Sequence, residues 1–107
     1  MKPSDTKFIN SKLEDIFNRL SDEDPLKKAL KKAIKEIQNN MFIGRNVKKK
    51  LIPKKLIIKY DINNLWIYNH PSAWRLLYTL TRDKNIKIIA IILDWMNHKD
   101  YEKLFNF

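Results

Sequence analysis

The stretch SAWRLLYTLTRDKNIKIIAIILDW, residues 72–95, holds one arginine, Arg75, inside a strongly β-prone apolar run. Successive strand side chains point to opposite faces. Trp74, Leu76, Tyr78 and Leu80 then share one face, and Ala73, Arg75, Leu77 and Thr79 share the other. The first set is the better core face. A guanidinium in the middle of the second is either paired with a carboxylate, Asp94 on the next strand being at hand, or poised for an anion. Other side chains able to do chemistry are His70, His98, Tyr101 and the lysines around Lys48–Lys50. A metal pair of His70 and His98 has no spacing motif behind it, so no metal site is expected.

Charge is the strongest compositional signal. The 107 residues carry 22 Lys and Arg against 12 Asp and Glu, a net +10. Twelve of the basic residues lie between Pro25 and Tyr60 with one acid, Glu36, so that segment is +11 and the rest is close to neutral. Such asymmetry points to a polyanionic partner, nucleic acid first and an anionic membrane second. A solvated lysine face in a chain rich in Asn, Ile and Lys is the structural counterpart. There is no cysteine, which excludes disulfides, thiolate chemistry and cysteine-ligated zinc. The opening residues MKPSDTKFINSKLEDIF show no apolar leader, and no apolar run is long enough to span a bilayer. These features agree with a cytoplasmic protein that does not enter membranes.

The elements that must position these residues follow from periodicity. FINSKLEDIFNRL places Ile9, Leu13, Ile16, Phe17 and Leu20 at helical spacing. Asp24 and Pro25 suit the N-cap and first position of a second helix, whose stripe is Leu26, Leu30, Ala33, Ile34, Ile37 and Met41. Lys27, Lys28, Lys31, Lys32 and Lys35 fall mainly on its other faces. The short polar link 21–24 predicts an antiparallel helical hairpin, and Gly44, the only glycine, marks the break after it. A short strand is expected near 47–52, interrupted by Pro53, then an irregular connection through 53–62 with a helical turn. Strands follow in NLWIYNHP and AWRLLYTLT, then a loop in RDKN and a central strand in IKIIAIILDW. HKDYEKLFNF predicts a last helical turn or two. The expected fold class is α+β, one domain over residues 1–107, with two N-terminal helices packed on a small antiparallel sheet and a short C-terminal helix.

Trp74-Arg75-Leu76-Leu77-Tyr78, the hairpin loop, the last strand and then His98, Lys99 and Tyr101 resemble the C-terminal half of RelE/ParE-type toxins. The resemblance spans roughly residues 6–105 in element order, with 51–64 resembling an insertion. It implies a type II toxin of the RelE kind, an endoribonuclease that cleaves mRNA on the ribosome and inhibits translation. The ribose 2′-OH would attack the adjacent phosphate, with no metal or cofactor. The implied catalytic set is Arg75 for the charge of the phosphorane, Lys50 among Lys48–Lys50 as a second cation, and His98 or Tyr101 to move protons. The implied RNA-binding set is Lys48, Lys49, Lys54, Lys55 and Lys99. The implied partners are mRNA on the ribosome and a cognate acidic antitoxin, assembled as a heterotetramer. That antitoxin would wrap the helical hairpin and a sheet edge near Val47–Ile52.

Two readings of function stay open. Asp94, Asp100 and Glu102 stand where many such toxins carry a dense Arg/Lys cluster. That favours the alternative, a non-catalytic nucleic-acid binder or a ParE-like inhibitor of DNA gyrase. The residues have structural readings too. His98 suits an exposed loop, His70 a turn before Pro71, and Tyr101 a helix anchor on Trp95. Trp66, Tyr68 and Trp74 could stack bases, though Trp74 suits a core.

Overall fold

A computed structural model describes residues 5–70 and 74–105. The chain runs β1 (Asp5–Phe8), α1 (Ser11–Arg19), α2 (Pro25–Asn39), β2 (Arg45–Asn46), α3 (Lys54–Tyr60), β3 (Trp66–Asn69), β4 (Trp74–Arg82), β5 (Ile88–Asn97) and α4 (His98–Phe105). A single 3-10 turn, Lys49–Leu51, precedes α3. The five strands form one sheet in the order β1-β5-β4-β3-β2. The architecture is α+β, as the sequence indicates.

The sheet is mixed rather than antiparallel. β1 runs parallel to β5, with Asp5 opposite Ile89 and Phe8 opposite Ile92. The expected order lacked this strand, because DTKF has no apolar alternation and its ladder partner, β5, lies far along the chain. The strand expected at 47–52 is also corrected. β2 is only Arg45–Asn46, and Lys48–Lys50 fall on its continuation and on the 3-10 turn. Val47 still hydrogen-bonds back to Leu65 (2.9 Å), after which Pro53 redirects the chain into α3. The turn expected within 53–62 is that seven-residue helix, closed by Asp61 in the left-handed region (φ 54°).

Caps and stripes explain the helices. Asn10 caps α1 by accepting from the Leu13 N–H, and Asp24 caps α2 by accepting from the Leu26 N–H. Leu13 and Phe17 of α1, Leu20 at its C-cap, and Leu30, Ala33 and Ile37 of α2 pack with Leu76, Tyr78, Ala90 and Ile92 on one face of the sheet. Lys27 departs from the expected solvated set. It is buried, its ammonium donates to the carbonyls of Phe17 and Leu20, and it lies 4.4 Å from the centre of the Phe17 ring. It thus serves the orphan carbonyls at the end of α1 and ties α1 to α2.

The opposite face carries a second core. Val47, Ile52, Leu56, Ile67, Leu77, Leu93 and Tyr101 meet there beneath α3 and α4. The strand alternation holds on both sides, with Ala73 outside the described residues. A register shift at Leu77/Tyr78 makes β5 bulge at Leu93. Leu93 and Asp94 therefore lie on the same side of the sheet, which draws a carboxylate toward the second core.

Tyr78 joins the layers. Fully buried, it donates its hydroxyl hydrogen to the Met41 carbonyl (2.8 Å) and accepts from the Gly44 N–H (2.9 Å). A Cβ at Gly44 would stand 2.7 Å from that hydroxyl and 3.0 Å from the Ile67 carbonyl, so only glycine fits. Tyr78→Phe should cost about 1–3 kcal/mol, since it orphans two buried backbone groups. Gly44→Ala should destabilise by a similar ~1–3 kcal/mol through overpacking.

Burial also pushes the Tyr78 hydroxyl up to about 12 from 10.0, against the opposing pull of the Gly44 N–H. The native state therefore holds this proton more tightly than the unfolded chain does. The resulting stability is intact below pH 10 and falls away as pH rises to about 12. The loss should reach about 2–3 kcal/mol. Denaturant titrations of wild type and Tyr78→Phe across this range check it: the two curves should converge as pH rises.

Candidate functional site

Pairing across β4 and β5 sets Arg75 opposite Met96, with His98 two residues further on at the start of α4. The Arg75 guanidinium lies 3.0 Å from His98 Nδ1 and 5.6 Å from the centre of the Tyr101 ring. His98 Nε2 in turn lies 3.0 Å from Glu102 Oε1, one helical turn along α4. A guanidinium only donates, so Nδ1 accepts and Nε2–H donates to Glu102; the partners assign this neutral tautomer. The His98 and Tyr101 rings stack at 6.4 Å. From the far edge of the sheet, Arg45 Nη2 donates to the Tyr101 hydroxyl.

The cluster thus holds two guanidiniums, an imidazole, a carboxylate and a phenol. Tyr101 is 4% exposed and belongs to the second core, beside Phe105. It does anchor a helix, but on this core and not on Trp95, which packs on the opposite face. Arg75 does not pair with Asp94: the register puts Asp94 opposite Leu77. His98 is exposed, as a proton-transfer group requires, but it opens α4 and is not in the loop expected for it.

Of the expected set, Arg75, His98 and Tyr101 come together. Lys50 sits exposed on the 3-10 turn, because the strand that was to carry it stops at Asn46. Lys48, Lys49, Lys54, Lys55 and Lys99 are exposed as well. The cation from the edge strand is instead Arg45, which sequence reasoning counted only as charge; its place directly after the sole glycine is the signal that could have marked it. Glu102 was read as a departure, and its i,i+4 spacing from His98 was the clue to a pair. Trp66 stacks on Tyr78 and meets a tilted Phe42 ring, and Trp74 is half-buried at the head of β4. The His70 N–H donates to the Trp74 carbonyl (2.9 Å); the turn expected at Pro71 lies outside the described residues. Among the described residues no group of three or more His, Asp or Glu is placed to hold a metal ion. No helix among them is long and apolar enough to cross a membrane.

Two clefts flank the cluster. One of about 440 Å³ lies at the β2–β3 edge between Lys32 and Glu36 of α2, Gly44–Arg45, and Tyr68–Asn69 of β3. Another of about 320 Å³ lies between α3 and α4, lined by Lys55, Lys59, Asp94, Asp100 and Lys103. There burial raises the Asp94 carboxyl above the usual carboxylate range, opposed by the Trp95 N–H and by Lys59. A raised carboxyl favours folding while protonated and loses that contribution as pH climbs through its folded value. Asp94→Asn should therefore raise stability at pH 7 relative to wild type, with the advantage vanishing in acid. Melting curves at both pH values measure it; a destabilised variant at pH 7 would show Asp94 to be held by its lysines instead.

No protein-family model, curated protein or solved structure matches this chain.

Proposed function

We propose that the chain is a RelE-like toxin, an endoribonuclease that cleaves mRNA on the ribosome through the cluster around Arg75. The observation that carries this reading is the line Arg45–Tyr101–Arg75–His98–Glu102, two guanidiniums flanking one tyrosine beside an oriented imidazole. It supplies what transesterification at phosphorus needs. As the 2′-oxygen attacks, the bond from phosphorus to the 5′-oxygen breaks. A 2′,3′-cyclic phosphate and a free 5′-hydroxyl result. Arg75 and Arg45 offset the charge that grows on the non-bridging oxygens.

Proton movement falls to His98. Arg75 covers Nδ1 in the free protein; a phosphate drawing the guanidinium away leaves Nδ1 to accept the 2′-hydroxyl proton. Glu102 keeps the opposite nitrogen protonated, so the imidazole presents its lone pair on the correct side. The reprotonated side of the same ring can serve the 5′-oxygen. Tyr101 is too buried to meet substrate, and its part is to hold both guanidiniums at one spacing. The exposed lysines 48–50, 54, 55 and 99 add positive charge for the RNA backbone.

The acidic antitoxin of this reading suits the segment Lys48–Lys59, with six lysines and no acid. Leu51 (58% exposed) and Ile58 (83%) stand out from it, apolar anchors among cations. The alternative, binding of nucleic acid or a topoisomerase without cleavage, draws on Asp94 of β5 and on Asp100 and Glu102 of α4, which thin the positive charge there.

Primer extension on an mRNA under translation, with purified protein added, separates the two readings. Wild type should produce new 5′ ends, and Arg75→Ala should lower their rate about 10²-fold or more with its melting temperature kept. Absence of new ends at any protein concentration would leave only the binding reading. Affinity for RNA or ribosomes should fall steeply between low and moderate salt as the lysines release condensed counterions. A flat salt response would remove nucleic acid as the partner of the basic segment.

A further inference from the structure

The cleft at the β2–β3 edge carries polar groups that the fold does not use. Tyr68, 7% exposed, donates its hydroxyl to Glu36 Oε2 and so fixes the carboxylate at the cleft wall. Among the described residues Glu36 Oε1, the Lys32 ammonium and the Asn69 side-chain amide have no hydrogen-bond or ion-pair partner. Lys32 and Glu36 are four apart on α2 and share a face, yet they do not pair. At about 440 Å³ the space falls within the range of small-ligand sites, roughly 300–1,000 Å³. It also shares a wall with the catalytic cluster: Arg45 lines the cleft and donates to Tyr101, and Asn69 stands opposite Arg75 across β3 and β4.

We propose that this cleft is a base-recognition subsite for a guanine nucleotide, with Glu36 as the reading group. The inference rests on the RNA reading of the neighbouring cluster and adds its base preference. A fixed carboxylate offers only acceptors, so it selects a base edge made of N–H donors. Guanine alone presents two adjacent donors, N1–H and the N2 amino group, which the carboxylate accepts side by side. Adenine and cytosine set a ring nitrogen acceptor beside their one amino group. Uracil sets its single N–H between two carbonyls. In each of those a lone pair faces the carboxylate and repels it. Lys32, on the same face of α2 as Glu36, and Arg45, at the edge of the sheet, supply cations for the nucleotide's phosphate. A phosphate shared between Arg45 and Arg75 would place the neighbouring linkage at His98.

The test is equilibrium binding of GMP, AMP, CMP and UMP to the intact chain, followed by calorimetry and by amide NMR shifts. GMP should bind about tenfold tighter than the others, the scale of one bidentate base contact. Its shifts should centre on Lys32, Glu36 and Asn69. Glu36→Gln keeps an acceptor for the Tyr68 hydroxyl, and it should erase the guanine advantage while leaving the affinity common to all four. Lys32→Ala should weaken all four alike. Equal affinities for the four nucleotides would overturn the proposal, as would GMP shifts lying elsewhere in the wild type or an advantage that survives Glu36→Gln. The wild-type shift map decides the matter even where a variant fails to fold. A guanine preference without mRNA cleavage would retain the subsite and remove the nuclease reading; cleavage without any preference would do the reverse.

Discussion

The hydroxyl of Tyr78 is the constraint on which this chain depends. It reaches from the middle of β4 to the segment after α2 and bonds a carbonyl and an N–H there at once. Both backbone groups would otherwise lose their partner, at a cost of about 1–3 kcal/mol together. The contact is so close that the only glycine in the chain must lie against it. Gly44 leads directly into Arg45, whose pairing with Ile67 completes the edge of the sheet. The position of one cation in the candidate site is thus set by a tyrosine that belongs to the core.

From Arg45 a second chain of contacts crosses the opposite face. Its guanidinium meets the Tyr101 hydroxyl, the Tyr101 ring lies beneath Arg75, and Arg75 meets His98. Each link spans different elements: β2 to α4, α4 to β4, β4 back to α4. A guanidinium at a tyrosine face is worth about 0.5–1 kcal/mol where water reaches it. The exposed His98–Glu102 pair is worth little by itself. These contacts therefore contribute order rather than much stability. That suits the proposed role, in which Arg75 leaves His98 for an anion, since a contact of many kcal/mol would hold the guanidinium in place.

The parts legible in the sequence were those with local periodicity. The runs 73–81 and 86–95 read as strands, the first by alternation and the second because apolar side chains fill both faces, and β4 and β5 fall within two residues of them; α2 was legible because Asp24 and Pro25 announce its start. Arg75 was legible as out of place for the same reason. β1 was not, because Asp5–Phe8 becomes a strand through parallel pairing with β5 and carries no alternation of its own. Lys27 looked solvated by composition, and only the meeting of α1 with α2 creates the carbonyls that hold it. Lys50 was placed by extending an apolar run, Val47–Ile52, into a strand. Val47 and Ile52 are buried there, but Leu51 turns outward, because the chain forms a turn and not a ladder.

The bulge at Leu93 shows how one irregularity shapes both the core and the site. Strict alternation after Ile92 would send Leu93 to one face and Asp94 to the other, against α1 and α2. The shift keeps Asp94 on the side of α3 and α4, where Lys55, Lys59 and Lys103 gather. It also sets the phase of every residue that follows, so Met96 faces the same side as Arg75 and the chain enters α4 with His98 beside the guanidinium. Without the extra residue the end of β5 would turn over. His98 and Tyr101 would then leave from the wrong face of the sheet. The half-buried carboxyl of Asp94 is the energetic trace of that shift, a small destabilisation accepted where the strand is bent to aim its last residues at Arg75.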